Sequence, residues 1–205
     1  MASTKVEAAP ASFRLKTPRF RVSFPQVWEK ASFNGGNPRY SVVGLFYPKQ
    51  FTEAEKAQWT AIKAKLNEVC TEFFKKDLKT MKEDRAFKYP LHRGSEKTYQ
   101  GYGDPDMIYF SMAISKRRPQ ILDTKMQPIT PENSDEFYAG CWARATVNCF
   151  AFDKIGKGVS IGLGNLQKLS DDESFEGFTS AEDDFGDDPV EGFDGGGDDD
   201  LSDLD

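Results

Sequence analysis

Apolar and polar side chains alternate from residue 19 to residue 27. Phe20, Val22 and Phe24 fall on one face and Arg19, Arg21 and Ser23 on the other, the period of a half-buried strand. A turn cluster, Asn34-Gly35-Gly36-Asn37-Pro38, leads into a second strand over 39–47, which Pro48 stops. The spacing then changes to three and four. Thr52 and Glu55 make a capping-box signature, and Trp59, Ile62, Leu66, Val69 and Phe73 recur at helical steps. Phe74, Leu78 and Met81 continue with a shifted phase. The pattern predicts one long helix ending near Asp84, its apolar stripe on the sheet and its lysines in solvent.

Residues 88–106 read as irregular. Alternation returns over 107–115, with Ile108, Phe110, Met112 and Ile114 on one face; 120–123 reads as a short extension and 124–136 as loop. The most telling strand spans 142–152. Ala143, Ala145, Val147, Cys149 and Ala151 face one way, small enough for a tightly curved interior, and Trp142, Arg144, Thr146, Asn148, Phe150 and Phe152 face the other. A hairpin at 153–158 returns the chain over 159–169, where Gly162 and Gly164 permit strong bending. About five strands and one long helix predict a mainly β domain, an OB-fold-like five-stranded antiparallel barrel. The helix falls between the second and third strands, whereas the usual OB helix lies between the third and fourth.

Charge divides the chain. Residues 171–205 hold 16 of the 33 acidic side chains and no Lys or Arg, which leaves 17 acids against 27 bases in residues 1–170. The body is therefore +10 and the tail −16. A basic body implies a polyanionic partner, and an acidic arm can imitate one. The tail cannot bury enough apolar surface to offset its ordering entropy, so it is expected to be disordered. The domains read as a flexible arm at 1–16, a folded domain at 17–170 and the acidic tail at 171–205. Phe175, Phe178, Phe185 and Phe193 sit among the tail acids and offer a protein partner apolar anchors.

Cys70, Cys141 and Cys149 are irregularly spaced and read as reduced thiols. No signal peptide or membrane-length apolar run is visible, so a soluble intracellular protein without membrane contact is expected. His92 is the one histidine, in a loop without a partnering nucleophile motif. Gly162-Leu163-Gly164 is an incomplete dinucleotide fingerprint on a strand, and no GxxxxGK[ST] or metal-ligand spacing occurs. No cofactor, no metal site and no enzymatic activity are expected.

Bases stack on aromatic rings while cations follow phosphates. Trp142 and Arg144 are the first candidates for nucleic-acid contact, on a strand face that also carries Asn148 and Phe150. Arg19, Arg21, Arg39, Tyr40 and the run Lys116-Arg117-Arg118 come next. Trp142 and Phe150 are equally compatible with packing under the helix, and Tyr99, Tyr102 and Tyr109 stay undecided between loop packing and stacking. Three functions fit: a single-stranded DNA (ssDNA) binder, an RNA- or dsDNA-binding chaperone-like OB protein, or a protein-interaction module.

Four stretches resemble bacteriophage single-stranded DNA-binding proteins. They are Ser32-Phe33-Asn34-Gly35-Gly36 with Pro38-Arg39-Tyr40-Ser41-Val42, Arg118-Pro119-Gln120-Ile121-Leu122-Asp123, Tyr138-Ala139-Gly140-Cys141-Trp142-Ala143-Arg144-Ala145, and Gly162-Leu163-Gly164-Asn165-Leu166-Gln167-Lys168. The resemblance spans roughly 17–170, and the acidic tail matches in kind. It implies an OB-fold, no catalysis, and coating of ssDNA during phage replication, recombination and repair in the bacterial host cytoplasm, with dsDNA or RNA bound more weakly. It also implies a tail that contacts replication proteins such as a polymerase or a helicase/primase; separately, a monomer or homodimer is expected. Tails of this kind often finish on an aromatic residue, whereas this chain ends Leu204-Asp205, which turns attention to the internal phenylalanines.

Overall fold

The computed structural model describes residues 15–32, 35–154 and 156–175. Its first strands are β1 (Leu15–Lys16), β2 (Phe20–Ala31) and β3 (Arg39–Phe46), followed by helices α1 (Glu53–Phe74) and α2 (Leu78–Lys82). The short β4 (Phe87–Lys88) and β5 (His92–Arg93) precede β6 (Ile108–Ile114). Then come β7 (Ile121–Leu122), β8 (Pro128–Ile129), β9 (Trp142–Phe152) and β10 (Lys157–Ser170).

The five longest strands pair in a closed cycle, β2–β3–β6–β10–β9 and back to β2. The OB-like, β-rich fold expected from the alternation is thus the fold observed, with α1 between β3 and β6. One seam differs from the expected all-antiparallel ring: Ile161 and Gly162 of β10 run parallel to Met112 and Ala113 of β6. A closed cycle of five strands cannot alternate direction throughout, so one parallel seam is unavoidable. The short strands extend the ring, with β1 on β9, β4 and β7 on β10, β5 on β6 and β8 on β7.

Phe20, Val22, Val42, Phe46, Phe110 and Met112 are fully buried in the ring, beside the small side chains of β9. Phe46 stacks on Phe110 with centroids 4.4 Å apart, and Trp59 of α1 lies 5.2 Å from Phe46. Through Trp59, Ile62, Leu66 and Cys70, α1 buries its stripe against the same cluster. Its start is the expected capping box, in which Thr52 Oγ1 accepts from the Glu55 amide while Glu55 accepts from the Thr52 amide.

Several boundaries differ from the sequence expectation. The helix does not run to Asp84: Lys75 turns left-handed at φ 58° and ends α1, and Asp77 caps a separate α2. The shifted apolar phase is the mark of that break, and it leaves Phe73 49% exposed. Phe24 does not join the buried face of β2. It adopts φ 45° and is 48% exposed, at a bulge where the β2–β3 register shifts between Ser23 and Gln26. Pro25 offers no N–H to the ladder there. The stretches expected to be irregular hold β4, β5 and β8 and short 3₁₀ turns, and Leu15–Lys16 pair as a strand. Residues 1–14 and 176–205, with the arm and tail expectations that fall on them, lie outside the described residues.

All three cysteines are free and buried. Burial pushes the Cys141 thiol up to about 11 and that of Cys149 to about 12, so both stay protonated. Among the described residues no helix is long and apolar enough to cross a membrane.

A non-glycine residue in the left-handed region costs about 1–2 kcal/mol, and Lys75 bears that cost at the end of α1. Lys75→Gly is expected to stabilise the protein by about 0.5–1 kcal/mol in urea unfolding. A lower unfolding midpoint would show that the Lys75 side chain, which donates to Glu72 O at 2.8 Å, is worth more than the strain.

Candidate nucleic-acid interface

Ring order decides which outward side chains meet. Counting around the cycle from β2, β3 and β6 are strands two and three, the face that OB-folds use for oligonucleotides, framed by the hairpins joining strands one to two and four to five. Here those hairpins are β2–β3 and β9–β10. Across this face Val43 of β3 pairs with Ser111 of β6, Leu45 with Tyr109, and Ser160 of β10 with Phe150 of β9. A groove of about 660 Å³ lies over all of these but the buried Leu45, lined by Arg39, Lys88, Tyr109 and Phe150 among others. Phe150 is 44% exposed, so it does not pack under the helix. Arg39 stands at the β2–β3 end of the groove, and Tyr40 beside it lies 5.6 Å from the Lys30 ammonium.

A chain of rings leads to the same face. Phe24 meets Tyr99 at 5.4 Å, Tyr99 meets Tyr102 at 5.7 Å, Tyr102 meets Tyr109 at 5.2 Å, and His92 stacks on Tyr109 at 5.2 Å. Tyr102 also donates to Ser23 Oγ at 3.2 Å. Burial raises the phenol of Tyr102 to about 12 and raises that of Tyr109 as well, so both rings stay neutral. The bulge that turns Phe24 outward is what starts this chain. In the sequence the tyrosines are undecided between packing and stacking, and neither Lys88 nor His92 stands out as a nucleic-acid contact. The alternation of β6 carried the available signal, since it puts Tyr109 opposite the buried Phe110 and Met112.

Other candidates gather elsewhere. Arg21 Nε donates to Gly140 O at 2.7 Å and Nη2 to Glu173 O at 2.5 Å, and Nη1 lies 3.6 Å from Asp172. Trp142 Nε1 donates to the same Asp172 carboxylate at 2.7 Å. Lys168 pairs with Asp171 at 2.6 Å, and Tyr138 donates to Asp171 at 3.0 Å. The Phe175 amide donates to Ala139 O at 2.9 Å, and its ring lies 4.5 Å from the Arg21 guanidinium. The first five tail residues thus cover Arg21 and Trp142. Arg19 is tied to the start of α1, through Glu55 at 3.5 Å and Gln50 O at 3.1 Å.

Arg144 faces a smaller groove of about 220 Å³ that also takes in Lys16 and Asn165; its Nε donates to Gln167 at 2.8 Å. Arg117 reaches Asn165 at 3.3 Å, while Lys116 and Arg118 are exposed on the β6–β7 connection. The structure therefore brings Arg39 and Phe150 together, gathers Arg19, Arg21 and Trp142 at a second place, and puts Arg144 and Arg117 at a third. Among the described residues no group of three His, Cys, Asp or Glu could hold a metal ion.

A family model described as the ssDNA-binding protein of Enterobacter phage Enc34 matches residues 13–194. The chain belongs to this family. A curated relative, putative protein p50 of Acyrthosiphon pisum secondary endosymbiont phage 1, is 28% identical over 167 residues, 80% of this chain and 87% of p50. Among solved structures, the Enc34 single-stranded DNA-binding protein in complex with ssDNA aligns with a TM-score of 0.64 at 22% identity, over 80% of this chain and 90% of that one. The gp2.5 single-stranded DNA-binding protein of bacteriophage T7 aligns at 0.53 with 11% identity, over 87% of this chain and 95% of that one. The expectation of a binding protein rather than an enzyme agrees with membership of the Enc34 family.

In this family member the docking of 171–175 depends on ionised carboxylates. The Lys168 and Tyr138 hydrogen bonds hold the Asp171 carboxyl below its ordinary value. Burial pushes Asp172 up, but the Glu173 amide, the Trp142 indole and the Arg21 charge outweigh it, so it too is lowered. Their contribution is present above the unfolded carboxyl value of about 3.9 and is lost as pH falls through the lower folded values. Acidification below about pH 4 is expected to expose Trp142 to acrylamide quenching. Asp172→Ala should show that exposure already at neutral pH, and Trp142→Phe should remove the signal. Quenching in Asp172→Ala that matches the parent would show that the indole is covered without the carboxylate.

Proposed function

We propose that this chain is a sequence-nonspecific ssDNA-binding protein acting in phage DNA replication and recombination, with the β3–β6 groove as its principal binding surface. The observation that carries this reading is the meeting of Arg39, Lys88, Tyr109 and Phe150 over strands two and three of the ring. Cations there follow the phosphates, and Phe150 offers any base a face to stack on. Stacking on a strand-face ring requires an unpaired base, which favours ssDNA over duplex. Arg144 and Lys116 to Arg118 extend the basic surface, and Tyr40 flanks Arg39.

The acidic tail acts as an intramolecular rival of DNA. Support comes from Asp171 to Phe175, which engage Arg21, Trp142 and Lys168 with the carboxylates and ring that a nucleic acid would otherwise supply as phosphates and bases. Displacement of these residues frees Arg21 and Trp142 for DNA, while Arg19 beside them keeps its ties to Glu55 and Gln50. Phe178, Phe185 and Phe193, flanked by acids, recruit replication proteins such as a polymerase or a helicase/primase.

Titration with oligo-dT tests the reading. Phe150→Ala should weaken binding by about 1–3 kcal/mol, roughly 5- to 150-fold. Unchanged affinity in a folded Phe150→Ala variant would remove the groove from the binding path. Deleting 171–205 should tighten binding, most at low ionic strength, because a screened electrostatic competitor is lost. Equal affinity of the full and shortened chains at low salt would sink the competitor role.

A further inference from the structure

A second groove, of about 690 Å³, lies between the helices and the β4–β5 segment. Its floor is apolar, with Trp59, Phe87, Leu91 and Ile108. Three acids reach it, and each has a partner: Asp106 pairs with Lys49 at 2.5 Å, Glu96 with His92 at 3.2 Å, and Asp84 with Lys157 at 3.8 Å. Lys63, Arg85 and Arg93 also line it, all exposed and without an ion pair among the described residues. Lys82 lies 4.7 Å from the Tyr89 ring. The groove therefore has a surplus of positive charge over an apolar floor.

Tyr89 and His92 line this groove and the β3–β6 groove alike, so the two adjoin across the 87–93 segment. We propose that ssDNA leaving the β3–β6 groove continues past Tyr89 and His92 into the helix-side groove, where Lys63, Arg85 and Arg93 hold its phosphates. This rests on the β3–β6 groove being the principal ssDNA site. Charge selects a polyanion, and continuity with the first groove selects the strand already bound there. Cations occur along the whole course, from Arg39 and Lys88 to Arg93, Arg85 and Lys63, with aromatic groups at the junction. The helix-side groove then adds length to the occluded site without adding sequence preference.

The test compares the full chain with its Lys63→Gln/Arg85→Gln/Arg93→Gln variant on a short and a long oligo-dT, about 6 nucleotides and about 25, the first near the lower end of what one OB-fold covers. The short strand should bind both proteins equally. The long one should bind the variant about tenfold more weakly, with a salt slope smaller by about 2, since each lost phosphate contact removes about 0.7 on single strands. Charge reversal at the same three positions should enlarge that loss. Identical binding of the long strand by parent and variant overturns the extended path and leaves the groove to an acidic peptide. Equal weakening on both lengths overturns it too, because the cations would then be acting on the first groove from a distance. Failure of the parent to bind either oligonucleotide overturns the underlying ssDNA reading instead.

Discussion

A ring of five strands encloses little more than one layer of side chains, and its closing seams must bring β9 against both β10 and β2. Ala143, Ala145, Val147 and Cys149 are the inward residues of β9, and all are buried. Large aromatic side chains on that strand would compete for the space that Phe20, Phe46 and Phe110 fill from β2, β3 and β6. The division of volume, small from β9 and large from β2, β3 and β6, is what lets the cycle shut. Closure in turn fixes which outward faces are neighbours. Arg39 and Phe150 are over a hundred residues apart, and they share a groove because β9 and β3 both flank the β10–β6 pair.

Glycines on β10 serve the same constraint from outside. A side chain at Gly162 would meet the Asn148 amide, and one at Gly164 would lie 2.8 Å from the Thr146 carbonyl. Close approach of β10 to β9 therefore needs bare backbone at these positions. Gly44 plays the inward counterpart on β3, where an added carbon would lie 2.7 Å from the Phe46 ring. These local choices agree with the global ring, which is the consistency expected of a sequence that specifies one fold.

Strand β9 was legible to its end residues because its alternation is uninterrupted and its inward residues are uniformly small. The capping box of α1 was equally plain. The end of α1 was not, because Lys75 and Lys76 are good helix formers and nothing in local propensity forbids continuation; only the phase slip from Phe73 and Phe74 to Leu78 betrays it. Phe24 was misplaced because alternation was carried through a proline. The outward faces were readable strand by strand, but their grouping into grooves was not, since ring order is a long-range property. Docking of Asp171–Phe175 was beyond local reading for the same reason: in the sequence these residues look like the start of a solvated tail.

That docking shows how charge is distributed on the molecule. The body carries +10 in residues 1–170, yet its cations differ in availability. Arg21 is 14% exposed and spends its guanidinium on Gly140, Asp172 and Glu173. Arg19 is committed to the start of α1, and Lys168 to Asp171. By contrast Arg39, Arg85 and Arg93 are exposed and have no carboxylate partner among the described residues. A polyanion gains most where it need not displace an existing partner, because replacing one carboxylate by one phosphate returns little free energy. These cations lie in the grooves on either side of the 87–93 segment. Trp142 and Arg21 are already engaged by Asp172, so the same two residues anchor the segment Asp171–Phe175.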